Sequence, residues 1–164
     1  MSRQRFTEAN LIVPANIPVA NSYNAGFTAE SIDMAKYNHV TAIMMGDAAV
    51  AGAGVVTVHG AAAFAGTTAD ATFTYRHISV DTMAASADVL STPATSNSLA
   101  LTEAYIKSGM YVFEWDAQDL FIGNVQYQYA TFVLSAAGTA GFVTLVYILS
   151  EPRYAQAIMP TAIS

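Results

Sequence analysis

The stretch NVQYQYATFVLSAAG, residues 124–138, contains the clearest strand pattern in the sequence and indicates the fold class. Two sets of side chains alternate along it: Val125, Tyr127, Tyr129, Thr131 and Val133 on one side, and Gln126, Gln128, Ala130, Phe132 and Leu134 on the other. A period of two residues is that of a β-strand. A turn over residues 136–141 and a second strand within TAGFVTLVYILSE follow, so we expect these two strands to form a β-hairpin.

Further strands are predicted along the chain, and no long helical period interrupts them. They lie at residues 39–47, 55–58, 71–78 and 110–115, with a loop over residues 86–98 and a helical turn possible at residues 116–120. The segment LALTEAYI is compatible with a strand or a helix, and the spacing of Leu99, Leu101 and Glu103 favours a strand. We therefore expect one all-β domain over residues 1–164, an antiparallel β-sandwich that is jelly-roll-like.

Both ends of the chain are predicted to be extended. Pro14 and Pro18 interrupt an apolar segment near the start and argue against a central strand or helix there, which indicates an extended N-terminal arm over residues 1–28. Residues 154–164 carry no charge and include Pro160, which indicates an extended C-terminal tail. Apolar ends of this kind are expected to lie on a neighbouring molecule.

The charge content bounds the possible partners. Only 11% of the residues are charged, against about 25% in ordinary soluble domains, so we expect the chain to associate with itself or with a larger partner. The net charge of −6 argues against nucleic acid. Cysteine is absent, which excludes disulfides and thiolate sites. The apolar window Ala48–Gly66 is mostly Ala and Gly, so we interpret it as a buried strand with small-residue loops and expect no membrane partner.

The sequence contains few signals of a catalytic or metal-binding site. His39, His59 and His77 have no partner at metal-ligand spacing, and no G-x-S-x-G elbow surrounds a serine. In EWDAQD, the carboxylates of Glu114, Asp116 and Asp119 are compatible with calcium, but a solvated acidic strand end is the better interpretation. We therefore predict no catalytic, cofactor-binding or metal-binding residues and a protein that is not an enzyme.

Three segments carry a resemblance to a known family. The stretches SIDMAKYNHVTAIMM at residues 31–45, FEWDAQDL at 113–120 and VTLVYILSEPRYAQA at 143–157 resemble small structural proteins of tailed bacteriophages, of the capsid decoration (cement) type. The resemblance implies a virion protein made in the host cytoplasm that lies on the outer capsid surface and binds the major capsid protein. It implies no catalytic residues. Residues 60–98, rich in Ala and Thr, depart from the pattern.

The two ends supply the predicted interface. Arginine and tyrosine are frequent at the energetic centres of interfaces, and apolar residues accompany them here. The candidate interface residues are Arg3, Arg5, Phe6, Ile12, Ile17, Arg153, Tyr154, Ile158, Met159 and Ile163. We expect a homo-oligomer, a dimer or trimer, that stabilises the assembled capsid. A neck, tail or head-fibre component and a jelly-roll carbohydrate-binding module are the alternatives.

Overall fold

A computed structural model describes residues 5–16, 19–78, 89–137 and 140–153, and these form short helices and many strands. The helices are α1 (Phe6–Ala9), α2 (Ser22–Ala25) and α3 (Glu103–Ile106), with a 3-10 turn at Ala117–Leu120. The strands are β1 (Leu11–Asn16), β2 (Phe27–Thr28), β3 (Ile32–Asp33), β4 (Tyr37–Gly46), β5 (Val55–Ala61), β6 (Ala69–Ala71), β7 (Phe73–Ile78), β8 (Ala94–Ser96), β9 (Ser98–Ala100), β10 (Met110–Asp116), β11 (Phe121–Ile122), β12 (Val125–Gln126), β13 (Tyr129–Leu134) and β14 (Val143–Pro152).

Most of the strands form two packed antiparallel sheets, which confirms the predicted all-β sandwich, and β11 and β12 form a separate two-stranded sheet. The large sheet has the order β1-β14-β4-β10-β7-β8, and the small sheet has the order β2-β13-β5-β6, with β3 beside β13 and β9 beside β5. The first and last strands are neighbours in the large sheet, and successive strands along the chain usually change sheet. This is the strand order of a jelly roll with β7 and β8 added to one edge of the large sheet.

The predicted hairpin between the last two long strands is wrong. Strand β13 pairs with β5, placing Phe132 opposite Val58, whereas β14 pairs with β4 in the other sheet. Period-two alternation shows that both segments are strands, but it does not specify their partners. The strand predicted from residue 125 onwards is also divided, because β12 pairs with β11 before β13 begins.

The predicted N-terminal arm is, in its described part, integrated into the sandwich. Strand β1 is an edge strand paired with β14. Proline has no N–H group to donate to a neighbouring strand, and an edge strand tolerates this at Pro14 because one of its sides has no partner strand. Farther along, Tyr23 is fully buried; its hydroxyl donates to the Gly52 carbonyl at 2.9 Å and accepts from the Gly54 N–H at 2.9 Å. The predicted C-terminal tail, residues 154–164, lies outside the described residues.

The segment LALTEAYI combines both of its possible structures. Its first residues belong to β9, which ends at Ala100, and α3 covers Glu103–Ile106, so the preference for a strand is wrong for the second half. The helical turn predicted after residue 116 is confirmed by the 3-10 turn. The window Ala48–Gly66 contains β5 between loops, and no helix in the described ranges is long and apolar enough to cross a membrane.

The core lies between the two sheets and is rich in aromatic rings. Phe113 of the large sheet meets Phe132 of the small sheet at 5.2 Å between ring centroids, and Phe73 packs on Phe113 at 5.7 Å. Trp115 and Tyr147, on neighbouring parts of the large sheet, meet edge to face at 6.1 Å. Each pair adds about 0.5–1.5 kcal/mol beyond the burial of its area. These contacts fix which face of the large sheet points inward.

Candidate functional site

The large sheet presents an unusually apolar surface on the side away from the core. Tyr111, Phe113 and Trp115 of β10 are buried inside, so the alternate residues of the sheet point outward. We call this surface the outer face; its apolar members are Ile12, Pro14, Ile43, Met45, Ile78, Met110, Val112, Val146 and Ile148. Thr41, Thr74 and Thr144 are interspersed among them. Antiparallel sheets with one face in water normally alternate apolar and polar residues.

The outer face is partly open in the single chain. Ile12 and Met45 are each 46% exposed, and most of the other apolar members are half-buried by one another. The corresponding surface of the small sheet is more polar, with Thr57, His59 and Asp70 on neighbouring strands. The two exposed sheet surfaces therefore differ in chemistry, and the outer face has the character of an association surface.

Charged groups lie within and beside the apolar part of the outer face. Arg76 of β7 stands opposite Val112, and Glu114 stands opposite Thr41 and Thr74. At one end, the His39 Nδ1 atom lies 2.6 Å from the Asp116 Oδ1 atom, and its Nε2 atom lies 3.8 Å from the Glu114 Oε1 atom. Arg76 has no side-chain ion pair or hydrogen bond to any described residue.

Two histidines each stand between a threonine and an aspartate. The His59 Nε2 atom lies 2.9 Å from the Thr57 hydroxyl, and its Nδ1 atom lies 2.8 Å from Asp70. The second group joins Thr41, His39 and Asp116, with 3.3 Å between the Thr41 hydroxyl and the His39 Nε2 atom.

Each of these two groups has a hydroxyl, an imidazole and a carboxylate in the order of a hydrolase catalytic triad, but neither has the surrounding donors that such a triad requires. A triad also needs donors that stabilise the oxyanion. Strands β4 and β5, which carry the histidines, are each paired on both sides, so their backbone N–H groups are directed into the ladders. We interpret the groups as cross-strand polar contacts. That the chain is not an enzyme stays a prediction.

The acidic segment EWDAQD is arranged as a strand end followed by a capped turn. Glu114 and Asp116 share the outer face, as predicted, and their carboxylates approach His39. Asp119 accepts a hydrogen bond at 2.8 Å from the Asp116 backbone N–H and so caps the 3-10 turn. Within the described residues, no three His, Asp or Glu side chains are placed to hold a metal ion.

A cleft lined by tyrosines lies at the far end of β7. It has a volume of about 230 Å³, and we call it the tyrosine cleft after Tyr75, Tyr105 and Tyr111. His77 also lines it, packed against Tyr105 at 3.7 Å between ring centroids. The His77 Nδ1 atom is buried and has no hydrogen-bond partner among the described residues, and burial lowers the pKa of this imidazole. Burial likewise raises the pKa of Tyr111, whose hydroxyl accepts the Thr102 N–H at 3.2 Å.

The predicted interface residues are only partly within the described structure. Arg5, Phe6, Ile12 and Arg153 are all exposed, and Ile12 belongs to the outer face. Arg153 follows β14, and its backbone N–H donates to the Lys36 carbonyl at 3.0 Å. The other candidates lie outside the described residues: Arg3, Ile17, Tyr154, Ile158, Met159 and Ile163.

Most of the outer face is missing from the sequence-predicted set. Arg76, Ile43, Met45, Val146 and Ile148 lie in central or nearly central strands rather than in the terminal segments. A signal for them is present in HVTAIMM and VTLVYILS, where apolar residues occupy both alternating positions. Continuous apolar runs of this kind are typical of strands buried on both faces.

Comparison with known proteins gives little further information. No family model matches the chain, and no curated protein matches it. Among solved structures, it is similar to the crystal structure of SPBc2 prophage-derived protein YomS. The TM-score is 0.49 at 9% sequence identity, and the match covers 85% of this chain and 92% of that chain. A similarity at this level carries no argument about function.

Proposed function

We propose that this chain is a non-enzymatic structural protein of a tailed-bacteriophage virion that binds and stabilises the assembled capsid. The observation that carries the proposal is the apolar outer face, where Ile43, Met45 and Val146 occupy positions that water-facing strands normally give to polar residues. A surface of this kind supports a function by association. The sequence resemblance to decoration proteins supplies the partner, the major capsid protein, and the location on the outer capsid surface.

The mechanism follows from linkage. A protein that binds the assembled shell and not its free subunits stabilises the shell by mass action. Many copies, each with weak contacts, multiply the effect. Low charge and an extended apolar surface suit this role, because burial rather than ion pairing then provides the free energy.

Co-sedimentation with empty capsids of the encoding phage tests the proposal. We expect the full chain to pellet with capsids and to raise their melting temperature. Deletion of residues 154–164 is expected to lower the occupancy. The proposal fails if the full chain stays in the supernatant at every concentration tested.

The number of copies per particle separates decoration from the neighbouring alternative. Decoration requires on the order of hundreds of copies, whereas a neck ring has about a dozen, set by its closed symmetry. Quantitative mass spectrometry of purified virions gives this number. A value near twelve would favour a neck or tail component.

The tyrosine cleft favours a carbohydrate-binding module as a second candidate. Tyr105 is 39% exposed beside Tyr75, and sugar rings pack on such aromatic surfaces. Glycan-array binding by the full chain, abolished by Tyr105→Ala, would support this candidate.

A further inference from the structure

We infer that the outer face is covered by a second copy of this chain, packed face to face about a two-fold axis, and that Arg76 of each copy pairs with Glu114 of the other. The inference rests on the proposed function in taking the outer face as an association surface, and it goes further by assigning that face to the contact between two copies, so that other surfaces of the dimer bind the capsid. A two-fold contact uses the same surface on both copies, so every contact occurs twice.

The size of the outer face suits a protein partner rather than a small ligand. Five strands spaced by about 4.8 Å, each with about three outward residues at about 6.7 Å intervals, make a surface of about 24 by 20 Å. That flat area of about 500 Å², increased by side-chain relief, approaches the ~800 Å² that each partner contributes to a stable interface.

Arg76 defines what the partner must provide. It lies between the apolar positions of Val112 and Ile78 and is half-buried in the single chain. None of the described carboxylates forms an ion pair with its guanidinium. Covering an arginine without an anion is costly, so a partner that packs here must bring a carboxylate or another anion to this point.

Glu114 supplies that anion from the same surface. Its side chain is 38% exposed, and its contact with a positively charged or ionisable group of the described residues is a long one, 3.8 Å to the His39 Nε2 atom. Arg76 lies on the neighbouring strand, opposite Val112, which precedes Glu114 by two residues on β10. Consider a two-fold axis that lies in the plane of the interface, midway between these two positions and perpendicular to the line that joins them. This axis places Arg76 of one copy opposite Glu114 of the other.

The same axis also matches the apolar residues. In the register of the sheet it passes close to Ile43, and it brings Val146 of one copy opposite the Met45 position of the other. Apolar residues therefore meet apolar residues while the two charge pairs form beside them. Because the outer face is complementary to itself in both charge and apolar residues, a second copy is favoured over an unrelated partner.

Charge reversal tests the inference directly. Sedimentation velocity over a concentration series gives the mass and dissociation constant of the full chain and of the variants Arg76→Glu, Glu114→Arg and the double reversal. We expect a wild-type dimer. Each single reversal places like charges opposite one another twice and is expected to raise the dissociation constant by more than about tenfold. The double reversal is expected to restore it to within a few fold.

A second pair of variants locates the surface. Ile43→Asp, at the centre of the outer face, is expected to give monomers, whereas Val133→Asp, on the outward side of the small sheet opposite Thr57, is expected to leave the dimer intact. Near-ultraviolet circular dichroism shows whether each variant is folded. If Ile43→Asp does not fold, the charge reversals at Arg76 and Glu114 still decide the question.

The inference is overturned by any of three results. These are a wild-type monomer at tens of micromolar, single reversals that leave the dissociation constant unchanged, or a double reversal no tighter than the singles. The last result would indicate that another molecule supplies the anion, with a capsid-protein carboxylate as the alternative. Capsid co-sedimentation of the same samples separates the two proposals. A monomer that still binds capsids overturns the inference alone, and a restored dimer that does not bind them overturns the proposed function alone.

Discussion

Truncating two neighbouring residues of β14 to alanine separates the two faces of the large sheet. Leu145 is fully buried against the core, whereas Val146 is half-buried on the outer face. The two residues share a strand, a backbone conformation and similar chemistry. Their truncations therefore differ mainly in the direction in which each side chain points.

The structure sets different magnitudes for the two changes. Leu145→Ala leaves a cavity in the core and is expected to lower the free energy of unfolding by about 3 kcal/mol. For a chain of this length, that is a fall in melting temperature of about 6–12 °C. Val146→Ala removes two half-exposed methyl groups, so its cost in a single copy is expected to be below about 1 kcal/mol.

The two truncations are expected to affect the dissociation constant in the opposite order, Val146→Ala more than Leu145→Ala. In the face-to-face dimer Val146 becomes buried in both copies, so its truncation is expected to cost about 1.5 kcal/mol per dimer. That free energy corresponds to about a tenfold weaker dissociation constant. Leu145→Ala is expected to leave the dissociation constant unchanged wherever the variant remains folded.

Urea denaturation at two protein concentrations measures both quantities. Below the dissociation constant the midpoint reports the stability of the single copy, and above it the midpoint also reports association. If Val146→Ala destabilises the single copy as much as Leu145→Ala does, the assignment of inner and outer faces is wrong. If neither variant shows concentration dependence, the association argument loses its support.

Three further changes address other parts of the molecule. Burial lowers the pKa of His77 in the folded state. The stability that the neutral side chain contributes is therefore fully present above the unfolded pKa of about 6.5 and is lost as the pH falls below it. His77→Phe should reduce the loss of stability between pH 7.5 and 5.5, measured by thermal denaturation, and an unchanged pH profile would contradict this. Asp70→Asn weakens only a partly exposed contact to His59, so urea denaturation should show a change below about 1 kcal/mol; a larger loss would mean that the contact has a structural role. In Gly46→Ala the added Cβ atom would clash with the Ile106 carbonyl oxygen, and the required backbone shift should lower the free energy of unfolding by about 1–3 kcal/mol in the same assay. A neutral result would contradict this packing.

Local pattern gave reliable information about element type where side chains alternate. The segments containing Phe113 and Phe132 were identified as strands because a period of two residues is a local property of the chain. The helical turn given as possible at residues 116–120 is present as a 3-10 turn. The second half of LALTEAYI was misassigned because a spacing of two over a few residues does not distinguish a strand from a short helical turn ending at Ile106.

The site was much less accessible to sequence reasoning than the fold class. Low charge predicts that some surface is covered, and the apolar ends of the chain, where Phe6 and Ile12 are exposed, are the segments that the sequence indicates for this role. The outer face, which we propose as the association surface, is formed by strands far apart in the sequence, such as those carrying Ile43 and Val146. The absence of an ion pair between Arg76 and any carboxylate of the described residues could not be recognised without knowing which strands lie beside it.

The sequence by itself determined that this protein is an all-β sandwich, poor in charge and without cysteine chemistry, because alternation and composition are properties of neighbouring residues and of totals. Only the tertiary structure decided that β13 and β14 belong to different sheets, and that Arg76 and Glu114 share one apolar surface. The physical reason is that strand pairing is a long-range choice. Hydrogen-bond ladders accept any extended partner, and which partner is chosen depends on how all the strands together bury the core.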